Sequence, residues 1–554
     1  MQFRNIRNGR QLSAVFMIVW SLGAHGQALR DEARHLRDDE KQRQRDEALD
    51  KPAPPIAGQA KDSAELDVAP NALAETGTTF QINEIAIDGD TVLGDRIRQQ
   101  VVAPFLGLEL GQRRIDLLLR RLTAAYLDRG YPTTRAYLAP QNLASGRLVI
   151  SVVPGTVERI EVDGAPVKGL ASSAFPSGTG EALRLSDLEQ AVDQINRLRS
   201  RQAEARILPG QAPGASTIAI DSHAERPWRV GLGADNYGQR ATGDQRQRLT
   251  VEVDNLLGAW EALSLQQLYS PHSQTTLFSL SAPLGYGTVS YSWADSQSSV
   301  MVTDTIKSQT QAQSHTLGWN YVLTRDQISR WSIDGTFSHR TAQRRLDTIS
   351  LLPQYNATGR LALSGLLRGQ KGALTLEVGY SQGLRAFGAD GDVDGLPKTA
   401  PHNEFEKWDF AISGAWTLSP SLAWRTSIVG QTSRTGLPGH EQLFLGGNGT
   451  IRGFREGIIG ADKGVYVRNE LQFTRLLDQA TNEAGWQFQP LAFLDASSSR
   501  LLADTTYRRL TSAGLGVRAS WKDISADVAW GKPLDASSGV DKSGWVHAAI
   551  NIQF

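Results

Sequence analysis

Residues 408–418 read WDFAISGAWTL. Trp408, Phe410, Ile412, Gly414, Trp416 and Leu418 occupy one set of alternate positions; Asp409, Ala411, Ser413, Ala415 and Thr417 occupy the other. Successive side chains of an extended strand point to opposite faces, so the stretch predicts a β-strand with one apolar and one polar face. The same pattern recurs on the N-terminal side. Leu374, Leu376, Val378 and Tyr380 alternate with Thr375, Glu377 and Gly379, and Leu249, Val251 and Val253 alternate with Thr250, Glu252 and Asp254. No convincing helical periodicity interrupts it from Trp228 to Phe554.

A soluble sandwich also alternates, but three features favour a membrane barrel. The segments recur without a domain break, Trp408, Trp416, Trp424 and Tyr380 cluster near strand ends, and the polar face carries charge instead of filling a core. The expectation is an antiparallel transmembrane β-barrel over residues 225–554, with about 16 strands at roughly 20 residues per strand and turn. A mean hydropathy of -0.32 does not oppose this, because such strands are apolar on the lipid side alone. No stretch is apolar for the ~18 residues that a spanning helix needs. At the C-terminus, WVHAAINIQF places Val546, Ala548, Ile550, Ile552 and Phe554 on one face, opposite His547, Asn551 and Gln553. A chain ending on the last aromatic of an amphipathic strand resembles the signal read by the assembly machinery of outer-membrane barrels, with Ile550, Ile552 and Phe554 as its candidate residues.

Residues 155–224 and 78–154 lie upstream and read as two small α+β modules in tandem. In the first, Phe80, Ile82, Ile85 and Ile87 predict a strand ending at Asp88-Gly89. Ile115, Leu118, Leu122 and Ala125-Tyr126 make a helical stripe closed by Gly130. Strands at 133–139 and 148–153 follow. The second repeats the plan with a strand at 157–162, a helix opened by the capping box Ser186-x-x-Glu189, and a strand at 216–220. Residues 51–77, with Pro52, Pro54, Pro55 and Pro70, have linker composition. Residues 27–50 are rich in helix formers and polar on nearly every face, with Arg34 spaced for Asp38 and Asp39 for Arg43. Such a helix has no apolar core to sit in, and a solvated tail is the competing reading. Residues 1–26 read as an export signal, with Arg4, Arg7 and Arg10 ahead of a short apolar run and small residues before Gln27.

Lys+Arg and Asp+Glu both number 58 in the 554 residues, so there is no basic excess to track a phosphate backbone and no nucleic-acid partner is expected. The absence of cysteine excludes disulfides, thiolate metal sites and cysteine nucleophiles. Gly514-x-Gly516-x-x-Ala519 lies inside an alternating strand, and His440-Glu441 lacks a second histidine because position 444 is Phe. Asp390-x-Asp392-x-Asp394 starts like a calcium loop, but Pro401 stands where the bidentate Glu belongs. No catalytic residue, metal or cofactor is expected, and nothing points to an enzyme.

Two motifs are more specific. Gln442-Leu443-Phe444-Leu445-Gly446-Gly447 leads into Ile451-Arg452-Gly453-Phe454, and Phe493-Leu494-Asp495 sits in a strand. The tetrad around Arg452 and the F-x-D triad ending at Asp495 resemble the paired signatures of the barrel superfamily that carries POTRA (polypeptide-transport-associated) domains; Ile451 stands where Val is commoner. Residues 78–222 resemble two POTRA domains, including Tyr126 and Gly130-Tyr131. Leu208-Pro209-Gly210, Pro213-Gly214-Ala215-Ser216 and Asp235-Asn236-x-Gly238 resemble the junction of two-partner secretion transporters, the exporters of contact-dependent-inhibition toxins, haemolysins and adhesins. The resemblance spans the mature chain. It implies that the polar helix, with Arg34, Asp38, Asp39 and Arg43, plugs the lumen, and that the loop bearing Arg452, Gly453 and Phe454 folds inward to Asp495 beside Phe493. It also implies a large exoprotein as partner, bound at the edges of the POTRA sheets, outer-membrane lipid around the barrel, the assembly machinery as partner during biogenesis, and a monomer. An assembly factor for other barrels and a passive porin are the rival readings. The former usually carries more POTRA domains, and the latter has no use for periplasmic modules.

Overall fold

The computed structural model describes residues 32–50, 56–57, 66–89, 92–303, 305–326, 328–473 and 485–554. The export signal expected at 1–26, residues 27–31 of the expected plug segment and residues 51–55 and 58–65 of the linker lie outside them. The first element is helix α1, Glu32–Asp50, in a run of Glu, Arg, Gln, Ala and Leu without Gly or Pro. Strand β1, Ile56–Ala57, follows.

The first module contains β2 (Phe80–Gln81), β3 (Glu84–Asp88), α2 (Asp95–Val102), β4 (Glu109–Leu110), α3 (Gln112–Leu127), β5 (Arg135–Leu138) and β6 (Arg147–Val153). Its sheet runs β3-β6-β5, with β3 parallel and β5 antiparallel to β6. The stripe Ile115, Leu118, Leu122 and Tyr126 of α3 packs with Ile82, Phe105, Leu148 and Ile150 into one core. Gly130, at φ +82°, ends the helix in the left-handed conformation that carries the Tyr131 amide back to the Tyr126 carbonyl.

The second module contains β7 (Thr156–Val162), β8 (Ala165–Pro166), α4 (Leu185–Asn196), β9 (Glu204–Pro209) and β10 (Ala215–Asp221), with sheet order β1-β9-β10-β7-β8. The capping box is not formed. Helix α4 starts at Leu185 after Arg184, which makes no side-chain cap, and Ser186 lies inside the helix. Glu189 is drawn away by Arg325 of the barrel, 3.2 Å distant, so a tertiary ion pair overrides the local cap. Strand β9 and helix α2 are additions to the sequence reading.

The remainder is a closed antiparallel barrel of sixteen long strands. These are β11 (Trp228–Asp235), β12 (Arg246–Asp254), β13 (Ala262–Ser270), β14 (Ser273–Leu284), β15 (Gly287–Met301), β16 (Lys307–Arg325) and β17 (Ser329–Leu346). The short β18 (Ile349–Ser350) precedes β19 (Gln354–Gly369), β20 (Gly372–Leu384), β21 (Glu406–Ser419) and β22 (Leu422–Ser433). A hairpin of β23 (Leu443–Leu445) and β24 (Ile459–Ala461) lies in the next loop. Strands β25 (Lys463–Phe473), β26 (Gln487–Arg500), β27 (Arg508–Trp521), β28 (Ile524–Ala536) and β29 (Trp545–Gln553) complete the circle, and β29 pairs with β11. That seam is short, running from Gly231 opposite Gln553 to Asp235 opposite Ala549.

The alternation resolves into two environments. Trp408, Phe410, Val378, Leu515, Val546 and Ile550 are exposed on the outer wall, whereas Ser413, Glu470, Asp495 and His547 are buried inside. An apolar band around a whole cylinder far exceeds the few hundred Å² that soluble proteins expose. Tyr380 packs against Trp408 and Trp416 against Trp424, at 5.0 and 4.9 Å between ring centroids. Residues 408 and 416 are eight apart on β21, ~26 Å along the strand at ~3.3 Å per residue. With the strand tilted about 40°, these aromatics bracket a band ~20 Å tall, near the height of an apolar girdle. No helix among the described residues is long and apolar enough to cross a membrane.

Candidate functional site

The long loop between β22 and β25 folds back into the barrel. Leu443–Leu445 and Ile459–Ala461 pair as its stem, and Leu445, Ile451, Phe454 and Ile459 cluster with Tyr466 and Leu510 of the wall. This cluster lets the loop carry Arg452 inward. The guanidinium of Arg452 donates to both oxygens of Asp495, Nε to Oδ2 at 2.8 Å and Nη2 to Oδ1 at 2.9 Å, while the Arg452 amide adds a bond to Oδ2 at 3.1 Å. Such a fork fixes orientation as well as distance. The ring of Phe493 lies 3.8 Å from the guanidinium carbon. Gly453, at φ +88°, donates its amide to His547 Nε2 at 3.2 Å and presses against Gly531, where a Cβ would fall 2.6 Å from Gly453 N and Cα. The structure thus brings Arg452, Gly453, Phe454, Phe493 and Asp495 together.

The surroundings of this pair are dry. Arg452 is 2% exposed and Asp495 fully buried. A buried guanidinium has five N–H donors to satisfy, and Glu470 of β25 accepts from Nη1 at 2.7 Å. Glu470 also meets Arg518 of β27 at 2.8 Å, and Arg518 reaches Asp527 of β28 at 3.2 Å. These residues and His547 escaped the sequence reading because each is one more polar residue on an inward face. Nearby, Arg455 pairs with Asp244 of the loop after β11 and stacks on Trp545, 3.8 Å from its ring centre. The side chain of Asn236 donates to the Val546 carbonyl at 2.7 Å and accepts from the Ala548 amide at 2.9 Å, so the same end of the seam is bridged twice.

Helix α1 threads the lumen. Its first turn lies at the loop end, where Glu32 meets Arg246 at 3.6 Å and Arg34 meets the His440 carbonyl and Glu441. Midway, Arg37 donates to Thr316 at 2.6 Å and Arg45 to Glu377 at 2.6 Å. Its last residue, Asp50, pairs with Arg425 near the opposite rim. Ala33 and Leu36 touch Leu268, Leu277 and Ala294, and Leu49 touches Leu366 and Ala373. Of the sequence-derived pairs, Arg34 lies 3.5 Å from Asp38 as spaced. Asp39 and Arg43 do not meet. Asp39 takes His35 at 3.2 Å, and Arg43 turns to Glu40 and Glu47, carboxylates closer to hand on its side of the helix.

At the rim where α1 ends, α4 of the second module sits on the barrel turns. Arg325 meets Glu189, Asp193 at 3.0 Å and Gln190 at 2.8 Å, and Gln194 donates to the carbonyls of Gly285 and Gly287. Burial pushes the Glu189 carboxyl up against the opposing pull of Arg325. Trp260 of the β12–β13 turn joins the core of the module. The C-terminal residues stand at the seam: Ile552 faces Leu232, Ile550 faces Ala234, and Phe554 exchanges two backbone bonds with Val230. In the loop after β20, the Asp392 carboxylate is occupied by His402 and by the amides of Asn403 and Glu404.

The family model described as haemolysin secretion/activation protein ShlB/FhaC/HecB matches residues 214–519. Two POTRA models, the first of ShlB type, match residues 80–155 and 156–209. The outer membrane transporter CdiB of Dickeya dadantii (strain 3937) is 31% identical over 488 residues, which cover 84% of this chain and 84% of that protein. The hemolysin transporter protein ShlB of Serratia marcescens is 30% identical over 373 residues, 64% of this chain and 66% of that one. Among solved structures, CdiB from Escherichia coli superposes with a TM-score of 0.83 at 27% identity, covering 95% of this chain and 98% of the other.

Proposed function

The chain belongs to the ShlB/FhaC/HecB family of haemolysin secretion/activation proteins, and from that premise we propose how its parts carry a polypeptide across the outer membrane. It is an outer-membrane transporter of two-partner secretion, with its POTRA domains in the periplasm. Its cargo is a large exoprotein of the toxin, haemolysin or adhesin class, captured in the periplasm by strand addition to the edges of the POTRA sheets, which offer unpaired backbone groups. We place the first POTRA domain at residues 78–154, the second at 155–224 and the barrel at 225–554, and assign the chain no catalytic step. It works as a monomer, surrounded by lipid.

The observation that carries this reading is α1 inside the lumen, tied to the wall by side chains along its whole length. A passive pore gains nothing from a stopper, whereas a conduit for one polypeptide has to stay shut until that polypeptide arrives. Arg452 and Asp495 hold the inward loop in register beside the plug and would set the width of the path once α1 has left. Ile550, Ile552 and Phe554 form the edge by which the assembly machinery closes the barrel. Passage is driven by folding of the cargo outside. The test is co-expression with a large exoprotein that carries an N-terminal secretion domain, scored for its appearance on the cell surface. Export by the wild type and loss of export when the second POTRA domain is deleted are expected. Equal surface amounts with and without the transporter would overturn the assignment.

A further inference from the structure

We infer that the outer edge of β9 is an interaction site with two alternative occupants, residues Ile56–Ala57 of this chain at rest and an extended segment of the exported polypeptide during transport, and that the exchange lengthens the tether of α1. The inference rests on the transporter reading above and deepens it.

On one side β9 pairs with β10 along its full length, from Glu204 opposite Asp221 to Pro209 opposite Ser216. On the other side, among the described residues, Ala205 and Arg206 are covered, by Ile56 and Ala57 running parallel. A two-residue parallel ladder is among the weakest that a sheet can hold, and the strand beyond it, with Leu208 exposed, has no further partner on this side among the described residues. A longer incoming strand could pair along more of β9 and displace the short one. The equivalent strand of the first module, β5, pairs with β6 alone among the described residues and exposes Tyr137 and Leu138. The cover is therefore particular to the second module, the one docked on the barrel.

The cover also bears on the plug. Helix α1 ends at Asp50, and 56 − 50 gives six chain steps to the β9 edge. At about 3.3–3.6 Å per step this tether reaches ~20 Å. Once Ile56–Ala57 comes away, the next described hold is at Leu66 and Val68, whose carbonyls accept from Arg121 at 3.0 and 2.9 Å. That lies 66 − 50, or sixteen, steps from Asp50, a reach of ~55 Å. To clear the bore, α1 has to travel about its own length, ~28 Å for 19 residues at ~1.5 Å each. The short tether falls below that distance and the long one exceeds it. Capture of cargo at β9 is thereby converted into freedom for the plug, with no contact between the two.

The full-length chain has no cysteine, so a pair introduced as Ile56→Cys with Ala205→Cys is read without background. The oxidised protein is expected to show at least a tenfold lower frequency of channel opening in planar bilayers and to stop exporting the co-expressed exoprotein; reducing agent restores both. Oxidised protein that opens and exports like the reduced form overturns the inference. So does failure of this pair to cross-link under conditions where Arg206→Cys with Ala219→Cys, facing residues of β9 and β10, cross-links readily. If the reduced protein and its cysteine-free parent fail to export while their channels still open, the transporter reading falls instead.

Discussion

Replacement of Arg45 by alanine tests whether α1 is held shut by its side chains. Arg45 and Glu377 stand 2.6 Å apart and are 21% and 17% exposed, intermediate between a surface pair and a buried one. Surface pairs contribute about 0–1 kcal/mol, and truncating one partner of a buried pair costs about 3–5 kcal/mol because a charge is left alone. Glu377 is not left alone here, since Arg360 keeps it at 2.6 Å. The loss is therefore ~1–2 kcal/mol, which raises the frequency of plug release roughly 5–30-fold. Arg43, two residues away, has its ion pairs among the described residues within its own helix, with Glu40 and Glu47 at half-exposed positions. Arg43→Ala should stay within about twofold of wild type, since helix-surface pairs contribute ~0.3–0.5 kcal/mol. The assay is the rate of full-conductance openings of purified protein in planar bilayers. Raising the salt to about 1 M shortens the screening length from ~8 to ~3 Å and should narrow the gap between Arg45→Ala and wild type. Equal rates for the two variants, or no rise with Arg45→Ala, would refute the view that these ion pairs keep the plug seated.

Three further outcomes follow from the same contacts. Arg452→Lys keeps the charge but loses the fork, and forfeiting one charge-assisted bond of about 1.5–3 kcal/mol should cut surface exoprotein at least tenfold, while heat-modifiability gels show an intact barrel. Gly531→Ala forces a methyl into the Gly453 backbone, and an overpacking cost of about 1–3 kcal/mol should lift the loop tip and reproduce the export defect of the Arg452 variant without touching a charge. The Glu189 carboxyl is raised by burial, so its contribution to docking is complete below the ordinary carboxylate range and is lost as pH climbs through the raised value. Spin-label distances between the second module and Asp326 should therefore narrow in spread on acidification, and Glu189→Gln should abolish that dependence.

Residues 408–418 made the barrel legible because a period of two survives in single-sequence form wherever one face meets lipid and the other meets a polar interior. The polar character of α1 was equally plain, and its lodging in the lumen came from the family resemblance. What stayed hidden depends on partners far away in sequence. Glu189 has the spacing of a cap yet serves Arg325, more than a hundred residues on. Glu470 and His547 look like ordinary inward polar residues until the loop delivers Arg452 and Gly453 to them. Strand β9, with Glu204, Arg206 and Pro209, lacks the β-branched alternation of its neighbour β10, and its pairing is set by that neighbour. The Ile56–Ala57 pairing carries almost no local signal, since two residues have no period.

A cylinder is as strong as its shortest joint. Most neighbouring staves of this barrel are laced over longer overlaps, but the first and last meet over a short one, from Val230 beside Phe554 to Asn236 beside Ala548, with Arg455 and Asn236 straddling one end of the joint. Outward pressure from a chain that begins to fold while still in the bore would be borne there first. The bore then has no single fixed gauge, and the size of what passes would be governed less by the number of staves than by how firmly two side chains fasten one of their joints.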